Sequence, residues 1–401
     1  MSSDTKCEYV AILRLRYRKA GRQERSSIIS ELCANTGMHR KSAIRCLRNN
    51  LARKGRRGRV KHYFDETIWH LRRIWIASDQ MCAKNLARAM PLWLSFYAHA
   101  SDAIKTQLLS MSASTIDRKL RSYRTRYRCT KRGGTKPGSI LRSLIPIKEF
   151  NRVITCAGFV EADTVAHCGG SLMGDFTWSI TFTDVFSGWT ENRATWGKHA
   201  ATVHEAIADI EKGLPFEIRA FNSDNGSEFL NHRLIEYFNN RKSADGSNRL
   251  IMTRSRAYHK NDNCHVEQKN WTHVRRIFGY ERIEFKDLVP FMNEVYRAHN
   301  LLTNFFIPQS KLLSKTRVEG KIKKKYDEPQ TPYQRLLKDT SVTEESKKKM
   351  TALFETLNPF ELSKLREQKL QAFHSMKEKL KFIVEVTDPK PSKKLPLGNF
   401  F

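Results

Sequence analysis

No stretch of this 401-residue chain is apolar for long enough to span a bilayer. The longest apolar run, around Leu92 to Ala98, follows Arg88 and Pro91. Met1 to Arg18 lacks the apolar core and small-residue cleavage site of a secretory leader. An intracellular, cytoplasmic protein without a membrane partner is therefore expected. Cysteine is sparse and scattered. The eight residues (Cys7, Cys33, Cys46, Cys82, Cys129, Cys156, Cys168 and Cys264) form no C-x-x-C pair and no Cys/His cluster of zinc spacing. Free, mostly buried thiols and no structural metal are expected. Equally absent are the phosphate-cradling G-x-x-x-x-G-K, a dinucleotide fingerprint and any convincing Ser/His/Asp or Cys/His set, which argues against nucleotide cofactors and covalent nucleophilic catalysis. Acid is in short supply too: 41 Asp+Glu face 72 Lys+Arg, a net charge of +31.

What is present begins with how that charge is placed. Residues 1–150 carry a net +23, residues 151–300 a net −1 and residues 301–401 a net +9. A nearly neutral middle between two basic arms points to nucleic acid, because each phosphate neutralised by Lys or Arg releases counterions. Hydrophobic residues at 40% and aromatics at 10% suffice for packed cores, and the length suggests two to three domains. Ser26 to Asn49 reads as a helix-turn-helix. Ile28, Ile29, Leu32 and Cys33 line one face, Gly37 makes the turn, and Ala43, Ile44 and Leu47 point inward from the second helix. That helix shows His39, Arg40, Lys41, Arg45 and Arg48 outward, the long cations a recognition helix needs. Arg53 to Lys61, with Arg56, Arg57 and Arg59, is a basic linker suited to tracking a DNA backbone. A second helical region, Phe64 to Tyr123, ends in another turn and helix in which Ile116, Leu120 and Tyr123 share a side, leaving Arg118, Arg121 and Arg124 as further DNA contacts.

The expected organisation is a helix-turn-helix domain over 1–60, a second helical DNA-binding domain over 61–130, a basic linker over 131–150, an α/β catalytic core over 151–300 and a mostly helical basic region over 301–401 with a disordered tail. In the core, strands are predicted at 159–165, 176–185, 189–195, 216–222 and 250–252, and helices from about Ala200, around 230–238 and over 263–278, giving a mixed sheet. Beyond Arg297 the pattern weakens, apart from charged helix over 343–381. Three acids stand in suggestive places: Asp163 and Asp224 at strand ends, and Glu267 on a helix where Glu267, Trp271, Val274 and Phe278 recur at helical spacing. An inward Glu267 without a cation one turn away would call for a divalent metal, and oxygen-only ligands suit Mg²⁺ or Mn²⁺.

Phe159-Val-Glu-Ala-Asp-Thr-Val165, Asn222-Ser-Asp-Asn-Gly-Ser-Glu-Phe229 and Tyr258-His-Lys-Asn-Asp-Asn-Cys-His-Val-Glu-Gln-Lys-Asn-Trp271 together resemble the D-D-E core of bacterial insertion-sequence transposases with a retroviral-integrase-type catalytic domain. The resemblance implies a ribonuclease-H-like fold holding two Mg²⁺ ions, with Mn²⁺ a substitute. Asp163, Asp224 and Glu267 would be the catalytic metal ligands, spaced by 61 and 43 residues with Lys242 to Arg249 as an added loop. It implies nicking at element ends and transfer of the freed 3′-hydroxyl into target DNA. A homo-oligomer on duplex DNA, carrying inverted-repeat ends and target, would do this at the bacterial nucleoid. Arg254, Arg256, Lys260 and Lys269 would line the DNA path. A DNA-binding repressor with an inactive core, or a structure-selective nuclease of the same fold, are the alternative readings.

Overall fold

The structure, a computed structural model, describes residues 3–48, 63–124, 154–223, 226, 228–229, 231–240, 250–254, 263–318 and 321–387. Several sequence expectations fall outside these residues: Arg56, Arg57 and Arg59, the linker at 131–150, Asp224, the 242–249 segment, Arg256, Lys260 and the tail beyond Thr387. The chain divides into two compact units, Met1–Phe64 and Asp65–Phe401. Among the described residues no helix is long and apolar enough to cross a membrane.

Among the described residues the first unit holds three helices, α1 (Ser3–Lys19), α2 (Arg22–Thr36) and α3 (Arg40–Arg48). Gly37 closes α2 in the left-handed region at φ +68°, donating its N–H to the Cys33 carbonyl. Ile28, Ile29 and Leu32 of α2 meet Ala43 and Leu47 of α3, as the periodicity predicts. Helix α1 was not apparent in the sequence. Its arginines mask a stripe of Val10, Leu13 and Tyr17 that completes the core.

The second unit opens with α4 (Asp65–Ala77), α5 (Ala83–Ser95), α6 (Asp102–Leu109) and α7 (Ala113–Arg124). The turn after α4 puts Asp79 and Gln80 at φ 56° and 54°, unusual for residues with a side chain. A five-stranded mixed sheet follows: β1 (Phe159–Ala166), β2 (Thr177–Asp184), β3 (Thr190–Trp196), then α8 (Ala200–Lys212), β4 (Ala220–Ser223), α9 (His232–Asn239) and β5 (Ile251–Arg254). The strand order is β3-β2-β1-β4-β5. β1, β2 and β3 are antiparallel, whereas β4 and β5 run parallel to β1. This is consistent with the ribonuclease-H-like core expected. The predicted strand at 216–222 forms only from Ala220. Just before it, the chain docks on Gly158, where an added Cβ would lie 2.4 Å from the Glu217 carbonyl oxygen.

One face of the sheet is apolar: Val160, Ala162, Ile180 and Phe182 pack under Val203, Ile207 and Ile210 of α8 and Leu234 and Phe238 of α9. The opposite face is polar near its middle, with Glu161, Thr181, Thr183 and Asn192 all buried. Over it lie α10 (Cys264–Lys269), a π-helical stretch Asn270–Arg275, α11 (Arg276–Phe278) and the long α12 (Leu288–Phe306). Helix α12 was missed in the sequence because its buried side includes His299, Asn300, Thr303 and Asn304. Two of these, Asn300 and Asn304, serve the edge strand together with Asn293. Asn304 accepts from Thr190 N and donates to Thr190 O, both at 2.9 Å, and Asn293 does the same for Ala194 at 2.7 and 3.1 Å. The exposed edge that β3 would otherwise present is thereby closed.

Among its described residues the C-terminal region is mostly helical, with a hairpin that the sequence did not announce, β6 (Leu312–Val318) with β7 (Lys321–Tyr326). Helix α13 (Pro332–Lys338) starts with a capping box between Thr331 and Gln334, and α14 (Glu344–Thr356) and α15 (Pro359–Thr387) follow. Helices α4 to α7 belong to the same unit as the sheet. Trp93 of α5 donates to the Phe306 carbonyl at 3.0 Å, and Asp79 pairs with Arg276 and Arg366 at 3.3 and 3.4 Å. Described cysteines are free, yet none is buried: Cys7, Cys82 and Cys264 are exposed and the rest partly so, which corrects the expectation of mostly buried thiols.

Candidate active site

Asp163 sits three residues before the end of β1, within the strand and not at its tip. Alternation places it with Glu161 on the polar face, toward α10. It is half-buried. One carboxylate oxygen accepts from Thr164 N at 2.8 Å, and the other from the Asn270 side-chain amide at 2.6 Å.

Glu161 is fully buried and holds the helix that carries the third acid. Its carboxylate accepts from the backbone N–H groups of His265 and Val266 at 3.1 and 3.2 Å and meets His265 Nδ1 at 3.2 Å. A helix start leaves N–H groups unpaired and carries positive partial charge, so a carboxylate from a neighbouring strand is a fitting cap. Contacts with Cys264 and with Glu161 raise His265 to about 9, so it is protonated at neutral pH. Asn222 of β4 completes the anchorage, bonding Asn263 at the head of α10 and accepting from Thr253 of β5 at 2.9 Å.

Glu267 lies in the first turn of α10 and is exposed. The expected inward stripe of Glu267, Trp271, Val274 and Phe278 is therefore not formed. Trp271 is 54% exposed, and the buried series is Val266, Val274 and Phe278 with Asn270 between them half-buried. Val266, not Glu267, faces inward from α10, and the wider turn of the π-helical stretch after Lys269 brings Val274 and Phe278 onto the Val266 side. Glu267, being solvated, needs no cation to offset burial. The helix is linked to Asp163 by Asn270. That residue stands one turn along from Glu267, at the i+3 spacing where side chains are neighbours, and it bonds Asp163 directly.

Asp224 follows Ser223, the last residue of β4, which pairs with Ala162 next to Asp163. Asp224 itself is outside the described residues. The segment beyond it is tied to β1 by Glu228, a buried acid the sequence reading passed over. Its carboxylate accepts from Thr164 Oγ1 at 2.9 Å and lies 3.5 Å from Lys198 Nζ. Gly226 lies close beside it: a Cβ there would fall 2.7 Å from the Glu228 carboxyl, which would have to shift. Asp184 has a different job: its buried carboxylate accepts from Ser187 N and Oγ and from Gly158 N, capping the β2–β3 turn.

The expected DNA contacts divide. His39, Arg40, Lys41, Arg45 and Arg48 are all exposed on or beside α3, although Arg40 also bonds Ser26 and Ser30 of α2. Arg118 and Arg121 are exposed on α7, whereas Arg124 is paired with Asp117. Arg254 closes β5 and is half-buried. Lys269 is directed inward: its ammonium donates to Gln309 at 2.7 Å, and desolvation lowers its pKa to about 7.

No protein-family model matches the chain. Over 342 residues the chain is 34% identical to Uncharacterized protein y4rM of Sinorhizobium fredii (strain NBRC 101917 / NGR234), spanning 84% of this chain and 96% of that protein. The chain belongs to the y4rM family. Among solved structures, the catalytic core domain of BIV integrase aligns with 45% of this y4rM-family chain and 94% of its own length, at 13% identity and a TM-score of 0.28.

Among the described residues no three His, Cys, Asp or Glu side chains gather as a metal site. Two features nevertheless suit a hydrated divalent cation. Asp163 and Glu267 offer oxygen donors only, the kind Mg²⁺ and Mn²⁺ take. Beside them, Asn270 Oδ1 is buried and finds no donor among the described residues, a position that a cation-bound water could satisfy.

Proposed function

We propose that this chain is a DNA transposase of the integrase type, cleaving at element ends and transferring the 3′-hydroxyl into target DNA. The observation that carries the reading is the 2.6 Å bond from Asn270 to Asp163, which joins the sheet acid to the helical turn bearing Glu267. Glu267 lies one helical turn before Asn270, and Asp224 follows the strand whose last residue pairs with Ala162, next to Asp163. Asp163, Asp224 and Glu267 would hold two Mg²⁺ ions, or Mn²⁺ in their place. When bound, such ions polarise the scissile phosphate and favour an oxygen nucleophile at neutral pH. The protein's own part is positioning. Asn270 fixes the Asp163 carboxylate, Glu161 fixes the head of α10, and Glu228 ties the chain after Asp224 to the residue after Asp163.

In this reading the exposed cations of α3 and α7 bind element ends as paired helix-turn-helix units. Joining two ends requires two active sites, hence a homo-oligomer on DNA in the bacterial cytoplasm. The test is single replacement of Asp163, Asp224 and Glu267 by Asn or Gln, assayed on labelled ends with Mg²⁺. End binding should persist while nicking and strand transfer disappear. Strand transfer at the parent rate by any of the three variants refutes the assignment, and hydrolysis without joining by the parent protein favours a nuclease instead.

A further inference from the structure

The β6–β7 hairpin is open on both sides. Its register pairs Ser314 with Lys325, Thr316 with Lys323 and Arg317 with Ile322, and cross-strand partners share a face. Ser314, Thr316, Lys323 and Lys325 are exposed on one face, and Arg317, Ile322 and Lys324 on the other, with Ile322 at 57%. An isolated two-stranded ribbon is marginal in water, so its root matters. The root is well held. Lys311 N donates to Asp327 Oδ1 at 2.6 Å, Asp327 N donates back to the Lys311 carbonyl at 2.9 Å, and Arg335 pairs with Asp327 at 2.7 Å while donating to the Gln309 carbonyl at 2.9 Å. Lys311 Nζ reaches the Val185 carbonyl at 2.9 Å, fastening the root to the end of β2.

The ribbon's charge is one-sided. Its two strands contain Lys315, Arg317, Lys321, Lys323, Lys324 and Lys325 and no acid. Six cations on so short a ribbon, with no acid to offset them, disfavour it on its own, and a polyanion reverses this. Lysine-rich strands also resist edge-to-edge pairing, which argues against a second copy of the ribbon as the occupant. Of polyanions, duplex DNA has a major groove wide enough to admit a two-stranded ribbon, with phosphates along both rims.

We propose that the β6–β7 ribbon is a DNA-binding arm that enters the major groove of duplex DNA, with Arg317, Lys323, Lys324 and Lys325 meeting phosphates and base edges. The inference shares with the proposed function only the identity of the ligand as DNA, and it is independent of the three carboxylates. The test uses the full chain and a short labelled duplex without divalent metal, measuring affinity across a salt series and protection of guanine N7 from methylation. In a variant with R317A, K323A, K324A and K325A, the slope of log K against log[salt] should flatten by about 3–4, roughly 0.9 per lost phosphate contact. N7 protection at the arm's position should be lost. Single Lys323→Ala and Lys324→Ala variants should each flatten it by about 1, and Lys→Arg replacements at the three lysines should retain the parent slope. An unchanged slope in the quadruple variant overturns the arm. A flattened slope with N7 protection intact overturns its placement in the major groove. If the slope flattens but Asp163→Asn leaves cleavage untouched, the arm stands and the active-site reading falls.

Discussion

Asn270 shows how much of the site rests on one uncharged side chain. Its amide donates to Asp163, and its oxygen is buried without a donor among the described residues. Replacing it with Ala frees the Asp163 carboxylate to rotate, so cleavage should fall by about 10–100-fold and the Mg²⁺ concentration for half-maximal rate should rise, as for other residues that orient a metal ligand. Asn270→Asp should be worse, because a second carboxylate at that distance opposes ionisation of the first. Unaltered Mg²⁺ dependence in Asn270→Ala would remove it from the site. A different residue governs behaviour in acid. His167 is fully buried against Ser179, which bonds Tyr296, and burial lowers its pKa from 6.5 to about 3. The folded state thus keeps His167 neutral while the unfolded chain protonates it below 6.5. Its contribution is complete above pH 6.5 and drains away as pH falls toward 3, on the order of a few kcal/mol in all. Urea midpoints followed over that range should decline less steeply in His167→Asn than in the parent, and equal slopes would assign the acid sensitivity elsewhere. Neither role was visible beforehand. Asp163 and Glu267 stand out as acids within sequence motifs, but an asparagine that positions one of them has no local signature, and the burial of His167 depends on α12, more than a hundred residues away.

Elements differ in how plainly the sequence declares them, and the reason is which neighbours satisfy them. Strand β1 and helix α8 pack apolar residues at a regular period against one another, and both stand almost where the pattern puts them. Helix α12 packs asparagines against an edge strand, so its inward face reads as polar and its period as broken. The π-helical stretch shifts the period inside a helix otherwise correctly located, which puts Val274 and Phe278 in line with Val266 and leaves Glu267 and Trp271 outside the buried series. The lysines of β7 mask a strand whose partners, Thr316 and Ser314 among them, lie across the hairpin. The asparagine ladder makes a measurable claim. Asn304→Ala leaves the Thr190 N–H and carbonyl unpaired in a buried setting, an expected loss of about 1–3 kcal/mol, and Asn293→Ala should do the same at Ala194. Because the two positions serve separate residues, the double variant should be near the sum of the singles. Urea unfolding gives the answer. A loss near zero for both would mean that water, and not α12, satisfies the edge of β3.

The whole chain is two bodies, and their boundary decides what unfolds together. Met1–Phe64 closes its own small core of Leu13, Ile28, Leu32, Ala43 and Leu47. The helices from Asp65 to Arg124, although they resemble the first unit in sequence style, are fastened to the sheet unit through Trp93, whose indole bonds Phe306, and through Asp79, which holds Arg276 and Arg366. Calorimetry of the full chain should therefore show two transitions, with the smaller enthalpy belonging to the first unit, since unfolding enthalpy scales with residue number. Leu47 is fully buried, so Leu47→Ala should remove about 2–5 kcal/mol and lower the first unit's midpoint by roughly 10 °C or more while leaving the other transition in place. Trp93→Ala should do the reverse, removing about 3–5 kcal/mol from the sheet unit alone. One transition displaced by both variants would show that the two cores unfold as one. Two transitions with Trp93→Ala acting on the smaller would instead move the boundary, placing the helices of residues 65–124 with the first unit. The separate outcome has a functional consequence: a unit carrying the exposed cations of α3 could be retained or lost on DNA without disturbing the sheet that holds Asp163.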